Sequence, residues 1–119
     1  MRNQRGFTLV ELITITAIVG ILATIAITQF NAYRIRAYDA DAVSVIRAAS
    51  IAQEAYFVDE NSYVPNVTTL ETDYSLEVGN VIITDPMIVT NHSYHIEARH
   101  NLSPNVYEIT GPGGIITKK

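Results

Sequence analysis

Residues 6–11, Gly-Phe-Thr-Leu-Val-Glu, have the types and spacing that point to chemistry in this chain. They follow a short basic segment and end on a carboxylate, Glu11, immediately before a segment without charged side chains, residues 12–33. An isolated charge near the bilayer costs about 2.5–3.5 kcal/mol on insertion scales. We therefore expect Glu11 to find a cationic partner inside an assembly.

The uncharged segment has the length of a membrane span. As a helix, residues 12–33 rise about 33 Å, close to the ~30 Å thickness of the hydrocarbon layer. Arg2 and Arg5 precede this span, so the positive-inside rule places the N-terminus in the cytoplasm. A cleaved secretory signal is disfavoured, because its apolar region is shorter and ends on small residues.

Residues 6–11, behind a short basic leader, closely resemble the prepilin processing signal of type IV pilins and pseudopilins. The resemblance covers roughly residues 1–63 and is closest to short type IVa-like pilins. In that family a membrane peptidase cleaves after the glycine and methylates the new N-terminus. The resemblance therefore implies cleavage between Gly6 and Phe7 and N-methylation of Phe7.

The same resemblance implies a partner for Glu11. Glu11 takes the acidic position of the family, and its partner there would be the amino group of Phe7 in a neighbouring subunit. Gly20 takes the usual glycine position, whereas Thr28 stands where many members have proline. Because proline kinks a helix, we expect a straighter helix at Thr28 and place the main flexibility at Gly20.

The remaining sequence predicts an α+β fold. Apolar side chains continue at intervals of three and four to about Val58, which predicts one amphipathic helical stripe: Ile35, Tyr38, Ala42, Val45, Ala49, Ala52 and Tyr56. Residues 93–99 alternate as a half-buried strand. Further strands are expected at 80–83, 87–90, 106–110 and 115–117, with a strand or an irregular loop at 71–78.

These elements divide the chain into three parts. Residues 1–6 are expected to be a cleaved leader, and 7–33 a hydrophobic transmembrane and polymerisation helix. Residues 34–119 are expected to form a globular domain, in which an amphipathic helix, 34–58, packs on an antiparallel sheet of about three or four strands.

Composition disfavours several other classes of function. The formal net charge is −4, and the body lacks the basic stripe of a nucleic-acid-binding protein. No cysteine and no catalytic motif are present in the sequence, so we expect neither an enzyme nor a cofactor. His92 and His95 would lie on opposite faces of a strand, which is poor geometry for a metal ion, and surface histidines are expected instead.

Two functions for the aromatic residues stay open. Six of them fall at positions similar to those in the short pilins of metal-reducing bacteria, for which electron conduction has been proposed: Phe7, Phe30, Tyr33, Tyr38, Phe57 and Tyr63. Aromatic side chains on helices more often pack than conduct. Packing is therefore the favoured function.

The resemblance implies a structural subunit of a type IV pilus that serves adhesion, surface motility or extracellular contact. Its expected partners are copies of itself, a prepilin peptidase and methyltransferase, the inner-membrane assembly machinery and membrane lipid. The precursor would be a single-pass protein of the bacterial inner membrane, and the assembled pilus would be extracellular. The alternatives are a pseudopilin of a type II secretion or competence system, and a simple anchor displaying a binding domain.

Overall fold

A computed structural model describes residues 3–119, so Arg2 lies outside the described residues. Its helices are α1 (Leu9–Glu60) and α2 (Val67–Asp73). Its strands are β1 (Val81–Ile83), β2 (Ile88–Val89), β3 (Tyr94–His100), β4 (Tyr107–Gly111) and β5 (Thr117–Lys118). The chain separates into two compact units, one reaching to Arg34 and the other comprising Ile35–Lys119. The predicted α+β class is confirmed.

Both ends of α1 have local causes. Thr8 precedes the helix as its N-cap, and the first helical bond runs from the Leu12 N–H to the Thr8 carbonyl at 3.2 Å. At the other end Asn61 has a φ of 55°, and its N–H donates to the Phe57 carbonyl at 2.8 Å. This left-handed residue ends the helix, because asparagine tolerates that conformation better than most residues. The helix was predicted to span about residues 7–58, and the observed helix begins and ends two residues later.

The half of α1 within the second unit packs through one stripe. Its buried residues are Ala42, Val45, Ile46, Ala49, Ala52 and Gln53. The sequence stripe had named four of these and missed Ile46 and Gln53, which widen the buried face. Tyr38 and Tyr56 are only half-buried at its edges. The small alanines leave room for larger side chains from the sheet.

The sheet is antiparallel, in the order β1-β3-β4-β5, with β2 also paired to β3. Among residues 3–119 five strands form where three or four were expected, because the short β2 and β5 both pair. The alternation predicted in β3 is confirmed, since Tyr94, Ile96 and Ala98 are at most 2% exposed. These side chains join the α1 stripe in one core with Leu70 and Ile109.

Helix α2 is the main difference from the predicted fold. Residues 71–78 were expected to form a strand or loop, but α2 covers Val67–Asp73. The Asn66 side chain caps it by accepting from the Thr68 N–H at 2.9 Å, and Val67 and Leu70 are buried. Seven residues are too few for a helical period to be evident in the sequence.

Gln53 fastens the segment after α1 to the helix. It is completely buried; its amide nitrogen donates to the Val64 carbonyl at 2.6 Å and its amide oxygen accepts from the Val64 N–H at 3.1 Å. Both backbone groups of Val64 are thus satisfied by one side chain. Buried polar groups require such partners, because an unpaired one costs about 1–3 kcal/mol.

Replacing Gln53 by leucine should destabilise the second unit by about 2–4 kcal/mol, because both polar groups of Val64 lose their partner. Urea unfolding of the full chain in detergent micelles, followed by the near-ultraviolet signal of the tyrosines, measures this change. Ala55→Leu is the control, since it places leucine at an exposed position on the same helix. Equal stability of the two variants would contradict this function of Gln53.

Asp39 connects α1 to the loop between β3 and β4. Its carboxylate accepts hydrogen bonds from the Ser103 hydroxyl and, at 2.7 Å, from the Asn105 amide. Partial burial alone would raise the pKa of Asp39, but these bonds outweigh it and hold the pKa below its ordinary value. The structure thus gives Asp39 two hydrogen-bond partners within the chain.

This lowered pKa sets the direction of a pH dependence. A carboxylate with a depressed folded-state pKa contributes stability that is present above its unfolded pKa, about 4, and lost as the pH falls through the folded value. Asp39→Asn should therefore flatten the acid limb of the unfolding curve and cost about 1–2 kcal/mol at neutral pH. Asp73→Asn, at an exposed site, is the control; an unchanged acid limb in Asp39→Asn would refute the assignment.

Candidate functional site

Gly6 and Phe7 lie before the first turn of α1, and both are exposed. The Phe7 side chain is 85% exposed. The peptide bond between them therefore lies outside regular secondary structure, which is where a peptidase can bind an extended chain. Cleavage at this bond and methylation of Phe7 remain predictions.

Glu11 and Thr8 form a capping box at the start of α1. The Thr8 N–H donates to Glu11 Oε2 at 2.7 Å, and the Glu11 N–H donates to Thr8 Oγ1 at 3.2 Å. The Thr8 hydroxyl also donates to Glu11 Oε2, at 3.0 Å. The N–H groups of Thr8 and Glu11 have no acceptor within the helix, because they lie at its first turn. Each of them is bound by the side chain of the other residue. The Thr8-x-x-Glu11 pattern in the sequence is a signature of a helix start and could have predicted this capping box.

The capping box leaves one carboxylate oxygen of Glu11 without a bond from Thr8. All bonds from Thr8 reach Oε2, so Oε1 takes part in none of them. A shallow hollow lies beside Glu11 and is lined by Phe7, Val10, Thr14 and Ile15. Glu11 therefore presents an exposed anionic oxygen beside apolar side chains.

The surface of α1 between Glu11 and Asn31 is largely apolar and exposed. Every residue from 3 to 31 is exposed. The large apolar side chains concerned are more than 45% exposed: Leu9, Val10, Leu12, Ile13, Ile15, Ile18, Val19, Ile21, Leu22, Ile25, Ile27 and Phe30. By length and composition, α1 is a helix able to cross a membrane. We call residues 9–33 the apolar segment of α1.

The threonine side chains within the apolar segment form hydrogen bonds to the backbone of the same helix. Thr14, Thr16 and Thr24 donate their hydroxyl protons to backbone carbonyls one turn earlier, at 2.7–3.1 Å. Thr28 donates to the Ile25 carbonyl at 2.8 Å, with the carbonyl four residues earlier more distant at 3.5 Å. Gly20 has open space where a Cβ would lie. A flexible point at Gly20 remains a prediction.

The histidines differ from the solvated surface residues that were expected. His100 is 4% exposed, stacks on Tyr38 with ring centroids 4.4 Å apart, and accepts from the Leu102 N–H through Nδ1 at 3.1 Å. His95 is half-buried beside Glu97 and Glu108. His92 is exposed, as predicted. The alternation of a strand predicts which of its residues face outward, but not which residues of the neighbouring strand lie opposite them. The neighbours of His95 on β4 could therefore not be predicted.

Lys119 completes the cluster around His95. Its ammonium donates to Glu97 Oε1 at 2.6 Å. This bond, together with the one from His95, holds the pKa of Glu97 below its ordinary value. The same contact with Glu97 raises the pKa of Lys119.

The N-terminus matches a known sequence family over residues 1–27, described as the prokaryotic N-terminal methylation motif. The chain is 40% identical over 76 residues to a fimbrial protein of Pseudomonas aeruginosa, which covers 64% of this chain and 49% of that protein. It is 43% identical over 70 residues to the type IV wide pilus major component PilA4 of Thermus thermophilus, covering 59% of this chain and 53% of PilA4. A fimbrial protein of Neisseria meningitidis is 31% identical over 106 residues, covering 81% of this chain and 62% of its own length.

The motif and these relatives together support the type IV pilin family for this chain. The chain spans about half of the length of the Pseudomonas and Thermus relatives.

Removing the Thr8 hydroxyl should loosen the first turn of α1. Thr8→Ala removes the cap on the Glu11 N–H and is expected to cost about 0.5–2 kcal/mol of local helix stability. Amide hydrogen exchange at residues 9–12 of the full chain in micelles measures this loss as faster exchange. Thr16→Ala is the control, because its hydroxyl bonds only to carbonyls inside the helix; equal exchange in both variants would contradict the capping box.

Proposed function

We propose that this chain is the structural subunit of a type IV pilus filament, assembled through the apolar segment of α1. The observation that carries the proposal is the exposure of residues 9–31 of this segment, with one carboxylate near its start. Burying a single large apolar side chain is worth about 1.5–3 kcal/mol. So many exposed side chains require lipid first, and then copies of the same helix, to cover them.

Processing would give Glu11 its partner. Cleavage between Gly6 and Phe7 would create a new amino group on Phe7, and the prepilin peptidase would then methylate it. A methylated secondary amine keeps its positive charge at neutral pH. This cation on one subunit would pair with Glu11 of the next, through the oxygen that Thr8 does not engage.

Such a pair would set the axial offset between subunits. An unpaired carboxylate among packed apolar helices is unfavourable, so register-shifted arrangements that leave Glu11 alone would be disfavoured. The pair would thus contribute specificity as well as attraction. Gly20 would provide the flexibility that helices need in passing from lipid into the filament.

Cellular location follows from the same elements. The precursor would lie in the bacterial inner membrane with its basic end in the cytoplasm, and the inner-membrane assembly machinery would extrude it. The acidic, sheet-bearing unit would form the outer surface of the filament, which would serve adhesion, surface motility or extracellular contact.

Substitution of Glu11 tests the assembly step. Glu11→Gln should reduce the protein recovered by shearing from the cell surface at least tenfold, because the ion pair with the Phe7 amino group can no longer form. The precursor should remain in the membrane fraction at normal abundance. Glu71→Gln, which neutralises an exposed carboxylate on α2, is the matched control and should leave recovery unchanged.

Mass spectrometry of the sheared protein tests the processing step. A chain beginning at methylated Phe7 is expected, whereas a surface chain that retains Met1 would refute the proposal. Surface filaments that persist after deletion of the gene, together with blocked secretion, would instead favour a pseudopilin.

A further inference from the structure

Three side chains of types that can bind a metal ion lie together on the outer face of the sheet: His95, Glu97 and Glu108. Tyr94, Ile96 and Ala98 of β3 face the core, so the intervening residues His95 and Glu97 face away from it. The three side chains are therefore placed by strand register and not by a loop. This register sets His95 opposite Thr110, and Glu97 opposite Glu108 on β4.

Two carboxylates directly across a strand pair repel each other, so this arrangement favours a cation between them. His95 Nε2 lies 3.2 Å from Glu97 Oε1 and 3.6 Å from Glu108 Oε2. One nitrogen and one oxygen from each carboxylate lie within 4.8 Å of one another, and all three side chains are half-buried. They are thus partly shielded from water.

Thr110 orients the histidine toward the carboxylates. Its hydroxyl oxygen lies 2.9 Å from His95 Nδ1. With a metal ion bound, His95 would donate its Nδ1 proton to this hydroxyl and present the lone pair of Nε2 to the metal, in place of the contact between Nε2 and Glu97. Metal-binding histidines are commonly oriented in this way by a hydrogen bond from the other ring nitrogen.

We propose that His95, Glu97 and Glu108 bind Zn²⁺ with three protein ligands and an open fourth position. Ligand atoms at 2.0–2.2 Å from a tetrahedral zinc ion lie about 3.3–3.6 Å apart. The two separations from His95 Nε2, 3.2 and 3.6 Å, already lie close to this range. One imidazole with two carboxylates suits zinc better than calcium, which takes six or more oxygen ligands.

Lys119 is the competing cation at this site. Its ammonium already lies 2.6 Å from Glu97 Oε1, the oxygen that would contact the metal. Zinc must displace it, and the bond between Lys119 and Glu97 therefore lowers the affinity of the site. The site lies wholly in the unit Ile35–Lys119 and does not depend on filament assembly.

Cobalt titration tests the site, because Co²⁺ in a tetrahedral environment has intense visible absorption and substitutes for zinc. The full chain in detergent micelles should bind one Co²⁺ with these bands, and added Zn²⁺ should abolish them. His95→Gln and Glu108→Gln should each weaken binding at least tenfold. His92→Gln is the matched control, since His92 is exposed in the turn before β3, and should bind as the unaltered chain does.

Lys119→Met should bind Co²⁺ severalfold more tightly, since it removes the competing ammonium. Circular dichroism establishes that each variant is folded, and Glu108→Gln provides a second ligand variant if His95→Gln fails to fold. Tetrahedral bands that persist in both ligand variants, equal loss in His92→Gln, or weaker binding in Lys119→Met would each overturn the proposal.

Discussion

The uncovered apolar segment of α1 is the constraint on which the rest of this molecule depends. A chain cannot leave residues 9–33 facing water, because the hydrophobic effect acts on each large side chain in the segment. Patches of this extent on a soluble protein indicate an interface or a membrane. The second unit, by contrast, closes its own core around the buried stripe of α1. In the second unit α1 is therefore part of a closed core, whereas in the first unit its apolar side chains stay exposed.

In the proposed filament, Glu11 would give this nonspecific attraction a direction. Apolar helices packed side by side can slide along one another with little change in buried area, whereas a carboxylate among them is favourable only where a cation meets it. Its bonds to Thr8 hold the side chain in place at the helix start. A fixed carboxylate loses less conformational entropy when it binds a further partner. The capping box and the proposed intersubunit pair are therefore compatible.

Much of this architecture could be predicted from the sequence, because its signals are periodic and long. The apolar segment, the amphipathic stripe and the alternation in β3 each extend over several residues and predicted their elements. Helix α2 could not be predicted, since seven residues hold too little of a helical period. The partners of Asp39, and Glu108 and Thr110 beside His95, come from other segments of the chain. Strand register and packing bring those residues together, and neither can be predicted from the pattern of a single sequence.

The central claim is that Glu11 of one subunit pairs with the Phe7 amino group of its neighbour. A near-atomic cryo-electron-microscopy reconstruction of the native filament measures the distance between these two groups directly. We expect the Phe7 nitrogen within about 4 Å of a Glu11 carboxylate oxygen on an adjacent subunit, the limit for an ion pair. A filament in which Glu11 contacts only its own Thr8, with every Phe7 nitrogen far from any Glu11, would contradict the claim.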